Sequence, residues 1–228
     1  CMEYSQGDTL YMHADTLEMI TIDSTRLLKA YHHVRFYRTD AQGVCDSMLF
    51  NTKDSVLHMY TDPILWNADY QLYGDTILVY FNDSPIDYAH VIQFAFAIQH
   101  IDSSYYNQLK GMDLKAYFEG KAVRKIDIDG NAETIYFPLE EDNTMLGMNE
   151  TKSSYLTIWV KDNKLEKLKI WPQPTGKMTP IPELLSEQIT LKDFYWYDYI
   201  RPLNKDDIFR KVERKTEDQS KRSNKFVY

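Results

Sequence analysis

Apolar residues recur at every second position through most of the chain up to Ile170, and Asp-Ser or Asp-Thr pairs bracket the runs. A period of two belongs to a strand with one face buried, so the pattern leaves little room for helices. The bracketing is itself repeated, in "GDTLYMHADTLEM" (Gly7 to Met19), "CDSMLFNTKDSVLHM" (Cys45 to Met59) and "GDTILVYFNDSP" (Gly74 to Pro85). Asp, Ser and Thr side chains bond to nearby backbone and so mark turns. Each phrase therefore reads as strand, turn, strand.

Parity extends the pattern. Even steps from the first Asp of each phrase land on Leu10 and Met12, on Met48 and Phe50, and on Ile77, Val79 and Phe81. The same offset recurs at Met112, Leu114, Ala116 and Phe118, and further alternating runs include Val34 and Phe36, Leu57 and Met59, and Ile92, Phe94, Phe96 and Ile98. Turn signals such as "TDAQG", "FNDSP" and "DIDGN" separate them. The expectation is about a dozen short antiparallel strands in a sandwich, barrel or strand-stacked solenoid. Enrichment in aromatic residues, 14% of the chain with 18 Tyr, agrees with strands.

After Trp171 the texture changes. Prolines 172, 174, 180, 182 and 202 interrupt the chain, "IPELLSEQI" suggests one short helix, and "KDFYWYDYIRP" suggests a last aromatic strand or packing segment. The expected organisation is a β domain over 1–171, a Pro- and aromatic-rich extension over 172–203 that packs on it, and a charged tail over 204–228.

A net charge of −8, with bases interspersed among acids, excludes a phosphate-tracking nucleic-acid surface. No run of about 18 apolar residues is present for a membrane-spanning helix. The two cysteines, Cys1 and Cys45, make neither a disulfide framework nor a metal motif. Cys1 admits a lipidated lipoprotein terminus, or is simply where the sequence begins. The histidines are scattered, the Asp-rich phrases lack the spacing of calcium loops, and no nucleophile elbow or paired catalytic acids stand out. The expectation is a protein with no catalytic site, metal or cofactor.

The ordered series "GDTLYMHADTL", "CDSMLF", "GDTILVYF", "DPILW", "NQLKG" and "GNAETIYF" resembles the OstA-like proteins of Bacteroidetes, relatives of the lipopolysaccharide-transport protein LptA and of the N-terminal domain of LptD. The resemblance spans about Gly7 to Ile170. It implies an all-β, open antiparallel β-jellyroll whose interior is an apolar groove for the acyl chains of lipopolysaccharide. It also implies a periplasmic location, with outer-membrane association compatible with it, and like-folded partners or copies joined edge to edge. The inward residues expected to border such a groove are Met12, Val34, Phe36, Met48, Phe50, Ile77, Val79, Phe81, Phe94, Phe96, Leu114 and Phe118. Further expectations are a sticky first strand around "GDTLYMHA" and a C-terminal edge covered by residues 175–203. Two other readings stay open: a structural or adhesive surface β-repeat protein with a closed interior, and a carbohydrate-binding jelly roll using "DFYWYDY" as a stacking platform.

Overall fold

The computed structural model describes residues 2–3, 9–23, 25–82, 86–102, 104–120, 122–140, 144–162 and 164–215. Its strands are β1 (Met2–Glu3), β2 (Thr9–His13), β3 (Thr16–Ile22), β4 (Thr25–Arg38), β5 (Ala41–Asn51), β6 (Val56–Tyr60), β7 (Ile64–Asn67) and β8 (Tyr70–Tyr73). They continue with β9 (Thr76–Phe81), β10 (Ile86–Asp102), β11 (Tyr105–Glu119), β12 (Ala122–Tyr136), β13 (Gly147–Lys161), β14 (Lys164–Trp171) and β15 (Thr175–Pro180). All pairings are antiparallel, and no α-helix occurs among the described residues.

The longest strands run to 15 and 17 residues, about three times the usual length, because each is two strands meeting at a bent corner. The register of β4 with β5 slips between Tyr31 and Val34, that of β10 with β11 between Ile92 and Ala95, and that of β12 with β13 between Asp129 and Ala132. The extra residues sit in the left-handed region: His32 and His33, Gln93 and Phe94, Gly130 and Asn131. Such bulges bend a strand and sharpen its twist. Elsewhere the corner breaks the strand outright, as between β2 and β3, β6 and β7, β8 and β9, or β14 and β15.

The repeated Asp now has a place. Asp15, Asp46 and Asp75 stand at corners, where their backbone N–H groups donate to His32 O, Thr61 O and Gln93 O at 3.0, 3.2 and 3.1 Å. The Asp15 carboxylate also meets His33 Nδ1 at 2.8 Å. One phrase thus encodes one limb of a bent strand.

The corners line up, so the molecule is a folded slab with two arms. One arm follows the path β1-β2-β4-β5-β7-β8-β10-β11-β12-β13-β15, using the stretches of the long strands on one side of each corner. The other follows β3-β4-β5-β6-β9-β10-β11-β12-β13-β14. Between them lies a continuous apolar core that takes Val34, Phe36, Leu65 and Ala97 from the first arm and Met48, Ile77, Leu114 and Ile126 from the second.

A second core lies on the outer face of the first arm. There the chain from Ile181 to Val212 covers Val44, Ile64, Trp66, Tyr73, Phe96 and Ile98, and the first arm is accordingly called the strapped arm, the second the bare arm. The strap is fastened by glutamine side chains. Gln71 Nε2 donates to Tyr195 O at 2.8 Å, and Gln71 Oε1 accepts from Tyr197 N at 2.8 Å and Trp66 Nε1 at 3.1 Å. Gln108 repeats the device, donating to Ile189 O and accepting from Leu191 N, both at 2.8 Å. A side-chain amide presents the same donor and acceptor as a peptide, so each Gln does the work of one residue of a missing strand.

Several expectations change here. "IPELLSEQI" holds two separate 3-10 turns, Ile181–Glu183 and Ser186–Gln188, divided by the extended backbone of Leu184 and Leu185. "DFYWYDY" packs on the sheet, with Tyr195 7% and Tyr197 0% exposed and Phe194, Trp196 and Tyr199 half-buried against the same core. The sheet runs past Trp171 into β15, and the strap lies on a sheet face instead of covering the C-terminal edge. At the other end β1 pairs with Thr9 and Leu10 of β2, and among the described residues β3 pairs with β4 alone.

Candidate functional site

Toward the N-terminal end of the slab the interior is incompletely filled. There the two arms enclose an apolar cavity with about 590 Å³ of atom-free space, counting the part open to solvent. The strapped arm contributes Leu10, Met12, Phe36, Arg38, Ala41 and Leu65; the bare arm contributes Leu28, Phe50, Leu57, Val79, Phe81 and Ile86. Arg38 is the one charged member of this wall.

Local chemistry sets each surface. Phe36 lies flat across Gly43, where a Cβ would come within 2.3 Å of the ring, so the floor depends on that glycine. Phe50 and Phe81 meet edge to face at 6.0 Å. Arg38 sits at the rim with its Nε and Nη2 donating to the Asp40 carboxylate at 2.5 and 2.9 Å. Its guanidinium carbon lies 5.9 Å from the Phe81 centroid, so a cation from one arm closes over an aromatic ring from the other.

The apolar inner face also runs out of the slab at its N-terminal end. Leu17 and Met19 of β3 stand opposite Ala30 and Leu28 and share their inward face. They are 53% and 60% exposed, so the interior is uncapped there.

Of the expected groove residues, Met12, Phe36, Phe50, Val79 and Phe81 border the cavity. Val34, Met48, Ile77, Leu114 and Phe118 are buried in the same interior but behind the cavity wall. Phe96 and Phe94 are elsewhere. The inward residues of β10 are Ala89, Val91, Ala95 and Ala97; Phe96 faces out under the strap, and Phe94 sits 37% exposed at the corner bulge. The run from Ala95 to Ile98 is buried on both faces, and in such a run the bulkier parity need not be the inner one. Leu10 and Leu57 were in the alternating pattern; Leu28, Leu65, Ile86 and Arg38 gave no signal beyond their type.

Cys45 is buried near the corner, and burial, then the neighbouring Asp46, pushes its thiol up to about 12, so it is inert packing. No group of three or more His, Cys, Asp or Glu among the described residues is arranged to hold a metal.

These features define a class: an all-β, open antiparallel jellyroll with an apolar interior accessible from outside. No protein-family model matches the chain. No curated protein matches it. Among solved structures, it is similar to LptH of Pseudomonas aeruginosa, described as the LptA-homologous periplasmic component of the lipopolysaccharide transport device. The two share 12% identity and a TM-score of 0.46, over 61% of this chain and 93% of that one.

Proposed function

We propose that this chain is a non-enzymatic carrier that holds the acyl chains of lipopolysaccharide between its two arms. The observation that carries the reading is the cavity: a wall of aliphatic and aromatic side chains, open at the rim and continuous with the apolar interior between the arms. Each methylene moved from water into such a space contributes about 0.8 kcal/mol, and a multi-chain amphiphile multiplies that gain. An adhesive β-repeat protein would instead need a closed interior.

The choice of lipopolysaccharide, and of the periplasm as the place of action, rests on the resemblance of the repeat series to OstA-like proteins. The exposed inward residues of β3 extend the apolar face to the end of the slab. A like-folded partner pairing there would lengthen the groove and satisfy the edge backbone.

The test is a titration of purified protein with fluorophore-labelled lipopolysaccharide, comparing the parent with Phe81→Asp. A carboxylate at the cavity rim must be desolvated or protonated when a chain enters. Saturable binding by the parent and loss of about tenfold or more in the folded variant is expected; equal binding by both moves the site elsewhere.

A further inference from the structure

The two lips of the slab differ in chemistry. On the bare arm the interior ends in Phe81, Ile86, Phe118 and Val123, all apolar. On the strapped arm the inward row beyond Leu65, Leu72, Ala97 and Leu109 is polar: Asn67, Tyr70, Gln99, Asn107, Tyr136 and Asn149. Asn67 stands opposite Tyr70, Tyr70 opposite Gln99, and Gln99 opposite Asn107, while Tyr136 stands opposite Asn149. The pairing of Gln108 with Ile135 puts Asn107 beside Tyr136 and joins the two halves. Their sequence neighbours Trp66, Ile98, Ile135 and Met148 point the other way, into the second core.

We propose that this row is a binding site for the hydroxyl-rich, saccharide headgroup of a glycolipid, a proposal that rests on the reading of the interior as the place of the acyl chains. The row contains amides and phenols and no fixed charge. Amides offer a donor and an acceptor side by side, the complement of neighbouring sugar hydroxyls. All six residues are half-buried, as groups held at an aperture are. The Asn107 amide is pre-set, donating to Gln99 Oε1 at 3.0 Å while its oxygen accepts from Phe137 N at 2.9 Å. Burial, with Asp69 and Tyr136 nearby, pushes the Tyr70 hydroxyl up to about 12, so it remains a donor at neutral pH. A phosphate alone has little to hold it on this lip: Arg38, at the N-terminal end, is already bridged by Asp40.

The experiment compares two lipids with identical dilauroyl chains, a glucosylglycerol and a phosphatidylglycerol, each displacing a fluorescent fatty acid from the full chain. The parent and the double variant Tyr70→Phe with Tyr136→Phe, which keeps both rings, are measured together. The parent should favour the glucosyl lipid, and the variant should lower the ratio of the two affinities about tenfold. Equal affinities in the parent, or an unchanged ratio in the variant, would mean that the lip is merely a solvated rim. If the parent bound neither lipid, the acyl-chain reading itself would fall, and the proposal with it.

Discussion

Arg38 and Phe81 face each other across the opening of the slab, the guanidinium carbon 5.9 Å from the ring centroid, one from the β4–β5 hairpin and the other from the end of β9. Both border the cavity between the arms. The Asp40 carboxylate holds Arg38 in place, and the two side chains are only 10% and 15% exposed.

Asp40→Asn should therefore destabilise the fold. Removing one partner of a half-desolvated ion pair leaves the other charge uncompensated; fully buried pairs lose about 3–5 kcal/mol, and a rim position should lose about 2. Urea denaturation checks this, with Arg38→Met as the companion that removes the stranded cation and should recover part of the loss.

The strap should depend on its glutamines. Gln71→Leu keeps the volume but leaves Tyr195 O and Tyr197 N without the side-chain partner that Gln71 supplies. Removing one partner of a buried hydrogen bond costs about 1–3 kcal/mol, so a loss of about 2–4 kcal/mol is expected. Limited proteolysis should then cut between residues 185 and 200 faster than in the parent.

How much of this was legible follows from the kind of signal each part carries. The Asp-Ser/Thr phrases mark real corners at Asp15, Asp46 and Asp75, and period two placed Met12, Phe50, Val79 and Phe81 on the inner face. Parity failed where a bulge resets it or where both faces are buried. Met112 keeps the parity of Leu114 but is 42% exposed, because it lies opposite the Gly130–Asn131 bulge. The strap was hidden for a different reason. Gln71 and Gln108 are 0% exposed because they hold backbone groups more than 80 residues away, and Gln42, 4% exposed, accepts from the Arg201 guanidinium 159 residues away. Nothing local announces a hydrogen bond of that range.

Acid should weaken the bare arm. Burial holds His58 and His90 below the usual histidine value, with Lys115 adding to the effect at His90 and Asp54 and Asp113 opposing it at the two sites. A base whose folded pKa is depressed binds its proton more readily when unfolded. Stability is thus full above about pH 6.5 and falls as pH drops from there through the lowered folded values. Thermal melts at pH 7.5 and 5.5 should show this loss, and His90→Gln should make it smaller.

Association should follow the β3 edge. Met19→Lys puts a charge on an inward, exposed position of the uncapped strand, where edge strands are commonly defended. Sedimentation should show any concentration-dependent association reduced while the monomer stays folded; unchanged association would locate the contact elsewhere.

The four tryptophans supply the most direct test of where a lipid sits. Trp66 and Trp196 belong to the outer core under the strap, and Trp159 and Trp171, paired with Lys125 and Tyr155, lie on the outer face of the bare arm. None faces the interior. A tryptophan introduced by Phe50→Trp does, on the cavity wall. With a lipid carrying brominated acyl chains, emission of the Phe50→Trp variant should be quenched in proportion to binding while the parent's emission hardly changes. Equal quenching of parent and variant, or bound lipid with no quenching of the variant, would contradict an acyl chain between the arms.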